Sequence, residues 1–220
     1  MKVIPFYGMR RSGNHAIIEW IHHSISDGQP REVLLENTLV IRGNVGFIND
    51  CANRKNITEY IDKFKDIGIE TTIINYEDVY TDIFVYPTVH PPFVIIRDIP
   101  NVVASRIKRG WGNLMPVNEQ FFNMWEKHST HDDFRLIKYE TWLTDKGFRD
   151  KFILNHFIKQ NLDKTDFVPE FGLGSSFVGY KLDDQEKLLN RDSQIEIPEK
   201  VLKMINSDQI KNARKKLGYL

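Results

Sequence analysis

Val3-Ile4-Pro5-Phe6-Tyr7-Gly8-Met9-Arg10-Arg11-Ser12-Gly13-Asn14-His15 stands at the start of the chain, and its reading decides the fold class. The apolar run Val3–Tyr7 predicts a buried strand that Gly8 ends. Ala16, Ile17, Trp20, Ile21 and Ile25 then recur at helical spacing, so a helix opens near Asn14. A strand that enters a helix through a glycine-bearing loop aims backbone N–H groups and a helix dipole at one point, which favours a phosphate. Gly8 and Gly13 have the separation of the glycines in a Walker A loop, but Asn14 replaces its lysine and His15 its magnesium-binding hydroxyl. The positive charge lies instead at Arg10 and Arg11. The competing reading is a tight turn that binds nothing. Two adjacent arginines that need a counter-anion argue against it.

Outward from this unit, short apolar runs alternate with helix-period stretches, as in a parallel sheet built of βαβ units. Strands are predicted at Glu32–Leu39, Thr71–Tyr76, Phe93–Ile96 and Arg135–Tyr139. Helices are predicted after Asn56, whose Glu59 completes a capping box, from Pro100 as first helical residue, around Phe121–His128, from about Asp145 to Gln160, and twice near the C-terminus from Pro198. The expected fold class is α/β, a three-layer α/β/α sandwich with a P-loop-like central parallel sheet. It forms a single domain over 1–220 whose pattern loosens from about residue 165.

Composition narrows the function. Of 220 residues, 30 are Lys or Arg and 30 are Asp or Glu, so the net charge is zero and a dedicated nucleic-acid binder is not expected. The single cysteine, Cys51, excludes an intrachain disulfide and a Cys-based zinc site. No run approaches the roughly 18 apolar residues of a membrane helix, and the N-terminus has no signal-peptide core, so a cytoplasmic protein without membrane contact is expected. His22-His23 reads as a solvated pair on a polar helix face, His128 and His131 lack companions at metal-ligand spacing, and no metal is expected.

A second anchor follows the Phe93–Ile96 strand. Arg97 at the carboxyl end of that strand lies on the same sheet edge as the first loop, and Ser105 follows in the next helix. The guanidinium can grip a phosphate bidentately and the hydroxyl can add a donor, although an Arg97-Asp98 pair also suits a local ion pair. Two separated anchors imply a ligand with two anionic groups.

The pair resembles the nucleotide-binding motifs of the PAPS-dependent sulfotransferases, which use 3′-phosphoadenosine 5′-phosphosulfate as donor. Arg11-Ser12-Gly13-Asn14-His15 resembles their 5′-phosphosulfate loop [KR]-S-G-[ST]-[ST], and Arg97 with Ser105 resembles R-[DN]-P-x-x-x-x-x-S, which holds the 3′-phosphate. Trp125-Glu126-Lys127-His128 resembles their W-x-x-H helix and Tyr139-Glu140-Thr141-Trp142-Leu143 their Y-E-[DN]-L strand end. The sequence departs from the pattern at Asn14 and His15, and at Pro100, which stands one place late with Ile99 in its position.

The resemblance implies a sulfuryl transfer from PAPS to a hydroxyl or amine of a small molecule or glycan, in line and without a metal, with PAP as the released product. It assigns Arg10, Arg11, Ser12, Gly13, Asn14 and His15 to the 5′ end of the donor and Arg97 and Ser105 to the 3′-phosphate. Ser175, in Gly174-Ser175-Ser176-Phe177, and Arg191 stand in for the element that covers the adenosine. Arg11 would stabilise the leaving oxygen. The base would be Glu36 or His90, each matching a different branch of the family, while His15 is a third candidate whose loop position suits donor contact. A P-loop kinase and a non-catalytic nucleotide-binding module are the alternatives.

Overall fold

Strand β1 (Lys2–Gly8) forms the middle of the sheet. In the computed structural model, residues 1–26, 39–49, 57–79, 92–110, 116–157 and 184–220 are described, together with the backbone of 31–34. Seven strands pair in the order β2 (Arg31–Leu34), β3 (Leu39–Arg42), β4 (Val45–Ile48), β5 (Thr71–Glu77), β1, β6 (Phe93–Ile96), β7 (Arg135–Lys138). From β4 to β7 every pairing is parallel, and β2–β3–β4 add an antiparallel end. The fold is a three-layer α/β/α sandwich, as the sequence predicts.

The inner strands are apolar on both faces because helices cover both. Ile4 and Phe6 of β1, with Ile73, Phe93 and Ile95, pack against helices α1 (Asn14–Ile25), α5 (Tyr139–Thr144) and α6 (Lys146–His156). Tyr7, Ile74 and Val94 point the other way, into a cluster with Ile57, Ile61 and Phe64 of α2 (Ile57–Asp66). A third cluster gathers Met9 and Ile96 with α3 (Ile99–Arg109), α4 (Glu119–Thr130), α8 (Glu199–Ile205) and α9 (Asp208–Lys216).

Several elements differ from the sequence reading. The single strand predicted over Glu32–Leu39 is two antiparallel strands, β2 and β3. A second hairpin joins β3 to β4 through Gly43-Asn44, with Gly43 at φ 55° in the left-handed region that such a turn requires. The strand predicted to run to Tyr139 stops at Lys138, and Tyr139 begins α5. Pro100 is the second residue of α3, after Ile99, with Asp98 as N-cap. His22 is fully buried and bonds the Val45 carbonyl at 2.9 Å, so it is no solvated surface histidine. A short helix α7 (Gln185–Leu189) and a 3-10 turn (Asp192–Gln194) precede the terminal pair and were not predicted. The residue proposed as the cap of α2, Asn56, lies outside the described residues.

Candidate active site

The loop after β1 is tight. Ser12 N–H donates to the Met9 carbonyl at 3.0 Å, and both Arg11 (φ 77°) and Gly13 (φ 95°) are left-handed. Only glycine takes that conformation without cost, so a left-handed arginine is strain held in place by its surroundings. A Cβ on Gly13 would also overlap the ring of Tyr139. Ser12 is fully buried, and its hydroxyl has no hydrogen-bond partner among the described residues. Helix α1 starts here with no side-chain cap and no acidic residue in its first turn.

Arg97 leaves β6 into the interior. It is fully buried, its guanidinium lies 4.2 Å from the centre of the Tyr139 ring, and its carbonyl accepts from Trp125 Nε1 at 2.9 Å. Its Nη2 donates to the Leu188 carbonyl, and Glu140 stands 3.9 Å from its Nε. Its Nη1 has no hydrogen-bond partner among the described residues. Eight residues on, Ser105 Oγ accepts from Arg11 Nε at 3.2 Å and from Arg191 Nη1 at 3.0 Å. Arg191 is buried as well, and its backbone N–H donates to Asn101 Oδ1 at 2.6 Å. Arg11, Arg97, Ser105 and Arg191, which are far apart in sequence, thus come together.

The oxygen that joins Arg11 to Arg191 is a neutral hydroxyl, so charge accumulates. Burial pushes the Arg11 guanidinium down to about 10, and neighbouring Arg109, Arg97 and Arg106 push the same way against Glu77. Burial, followed by the charges of Arg97 and Arg11, also holds Arg191 well below the usual arginine range. Crowded, desolvated guanidinium groups gain most from an anion with several acceptor oxygens.

Other candidates point elsewhere. Arg10 turns towards the opposite side of the loop: its N–H donates to Asp78 Oδ1 at 3.0 Å and its Nε lies 3.5 Å from Glu77 Oε2. Asn14, expected to face the donor, is buried, and its amide donates inward to the Met9 carbonyl at 3.3 Å and to Glu77 Oε1 at 3.0 Å. A Cβ on Gly8 would collide with that amide, which accounts for the first glycine. His15 lies at the β4–β5 side, with Nε2 2.7 Å from Asn49 Oδ1. Glu36, His90 and Ser175 lie outside the described residues.

Sequence reasoning missed the acidic partners. Asp78 receives Arg106 Nη2 as well as the Arg10 N–H, and Glu77 receives Asn14 and Arg10. Their signal was the Glu77-Asp78 pair closing a β-branched strand on the ligand edge. Glu140 is a further connector, accepting from the Asp98 N–H at 3.1 Å and from the Tyr219 hydroxyl at 2.8 Å. Among the described residues, no group of three or more His, Cys, Asp and Glu could hold a metal ion, and no helix is long and apolar enough to cross a membrane.

The chain matches no family model, no curated protein and no solved structure. The chemistry of the site therefore rests on its own residues.

Proposed function

We propose that this protein is a PAPS-dependent sulfotransferase that moves a sulfuryl group to a hydroxyl or amine acceptor and releases PAP. The observation that carries the reading is the meeting of Arg11 and Arg191 on the Ser105 hydroxyl beside the fully buried Arg97, whose Nη1 has no hydrogen-bond partner among the described residues. Such a cluster suits the 3′-phosphate, which is the group that separates PAPS from an ordinary nucleotide triphosphate. The four stretches that resemble the family also touch one another: Gly13 packs on Tyr139, Tyr139 on Arg97, and Trp125 holds the Arg97 carbonyl. The uncapped start of α1 and the buried Ser12 hydroxyl suit the 5′-phosphosulfate. Arg11, between the two ends, would stabilise charge on the leaving oxygen as the sulfur–oxygen bond breaks.

Calorimetry tests this directly. PAP is expected to bind more tightly than ATP with magnesium, and Arg97→Ala to weaken PAP by about 1–3 kcal/mol, the worth of a charged hydrogen bond. Preference for magnesium-ATP, or unchanged PAP affinity in the variant, would remove the reading.

A further inference from the structure

We propose that Tyr219 is a positioning residue for Arg97: it holds the Glu140 carboxylate off the guanidinium, whose charge is thereby kept for a phosphate. The assignment rests on the reading that Arg97 takes the 3′-phosphate of PAP. Among the described residues, Glu140 is the one acid in ion-pair range of Arg97. Its Oε1 lies 3.9 Å from Arg97 Nε, which is about 1 Å beyond a charged hydrogen bond. The nearer partners of the guanidinium are neutral, the Leu188 carbonyl at Nη2 and the face of the Tyr139 ring. Arg97 Nε and Nη1 are buried and have no hydrogen-bond partner among the described residues. A buried donor beside a carboxylate gains by closing such a gap, so the gap needs a cause.

The cause is that both Glu140 oxygens are held from elsewhere. Oε1 accepts from the Asp98 N–H at 3.1 Å, and Oε2 accepts from the Tyr219 hydroxyl at 2.8 Å. Tyr219 is fixed in turn by the end of α9. Gly218, at φ 72°, closes a Schellman cap in which the Gly218 N–H donates to the Lys215 carbonyl and the Tyr219 N–H to the Arg214 carbonyl, each at 2.9 Å. Lys138 of β7 ties this turn to the sheet, donating to the Leu217 carbonyl at 2.8 Å and standing 5.3 Å from the centre of the Tyr219 ring. Burial, then the charge and hydrogen bond of Glu140, pushes the Tyr219 hydroxyl well above the usual tyrosine range, so it stays a donor. The same helix engages the acid that follows Arg97: Arg214 Nε and Nη2 donate to the two Asp98 oxygens, each at 2.8 Å. Helix α9 and the residues after it therefore occupy both carboxylates that could neutralise Arg97. Without the Tyr219 hydroxyl, Glu140 Oε2 loses its donor and the carboxylate turns to Arg97 Nε. A phosphate must then displace it.

The test is calorimetry with PAP on the full chain and on three variants, Tyr219→Phe, Glu140→Gln and the two combined. Tyr219→Phe keeps the ring beside Lys138 and removes only the donor. It is expected to weaken PAP about tenfold in the unaltered chain and less than about threefold in the Glu140→Gln background, where no carboxylate is left to compete. A loss in the unaltered chain that exceeds the loss in the Glu140→Gln background by about threefold or more supports the assignment. A smaller excess, or none, overturns it, because a merely structural role for the C-terminal turn would carry over unchanged into the second background. If Glu140→Gln does not fold, a crystal structure of Tyr219→Phe decides: a direct Glu140–Arg97 hydrogen bond supports the role, and a retained gap overturns it. Failure of the unaltered chain to bind PAP is a separate result, which removes the sulfotransferase reading and this role with it.

Discussion

At the scale of single residues, Gly13 couples the loop to the rest of the site. Its left-handed backbone and its contact with Tyr139 leave no space for a side chain, and Tyr139 in turn packs on Arg97. Gly13→Ala is expected to cost roughly 2–5 kcal/mol, combining left-handed strain with overpacking. Chemical denaturation would measure it, and a loss under about 1 kcal/mol would mean that the loop relaxes freely. Gly13, Arg97 and Ser105 were legible in the sequence because each follows a strand at short range. Arg191 carried no local signal, since what gives it a role is a hydrogen bond to Ser105 across a sequence separation of 86 residues. Asn14 misled for the opposite reason: its position suits a ligand contact, but its amide finds buried partners first.

At the scale of elements, the helices that frame the site depend on their ends. Helix α4 brings Trp125 to the Arg97 carbonyl, and Asn118 caps it by accepting from the Phe121 N–H at 3.0 Å. Asn118→Ala is expected to lower stability by about 1 kcal/mol, with Asn118→Asp close to neutral, as thermal melts of the two variants would report. Equal losses in both would show that the cap contributes little. Continuously apolar or helix-period elements such as β6 and α1 could be read directly, because burial on both faces or one dictates their pattern. The β3–β4 hairpin has a legible mark, the dipeptide Gly43-Asn44 between two apolar runs. Helices α5 and α7, of 6 and 5 residues, had none, since helices that short form only when tertiary packing holds them.

At the scale of the whole molecule, equal numbers of acidic and basic residues conceal a sorted interior. Glu77 and Asp78 engage Arg10 and Arg106 on one side of the loop, while Arg11, Arg97 and Arg191 gather on the other. One buried group ties global stability to acid. Burial pushes the His128 ring of α4 down to about 4, against a hydrogen bond at 3.2 Å to the Val79 carbonyl that favours the proton. The unfolded chain takes up that proton below about pH 6.5. The folded chain does not do so until about pH 4. Between these values the unfolded state holds more protons, so stability falls as pH drops, by on the order of 3 kcal/mol in all. Urea titrations from pH 7 to pH 4 should show this slope and His128→Gln should flatten it; an unchanged slope would assign the acid sensitivity to other groups. The strand order has a last consequence, in time rather than energy. Strand β1 is synthesised before the other strands of the sheet, yet its ladders are to Thr71–Glu77 and Phe93–Ile96. The centre of the sheet must stay unzipped until both have been synthesised, and the entropy of closing such long loops falls on the rate-limiting event. Folding should therefore be slow for a chain of this size, as stopped-flow refolding would measure.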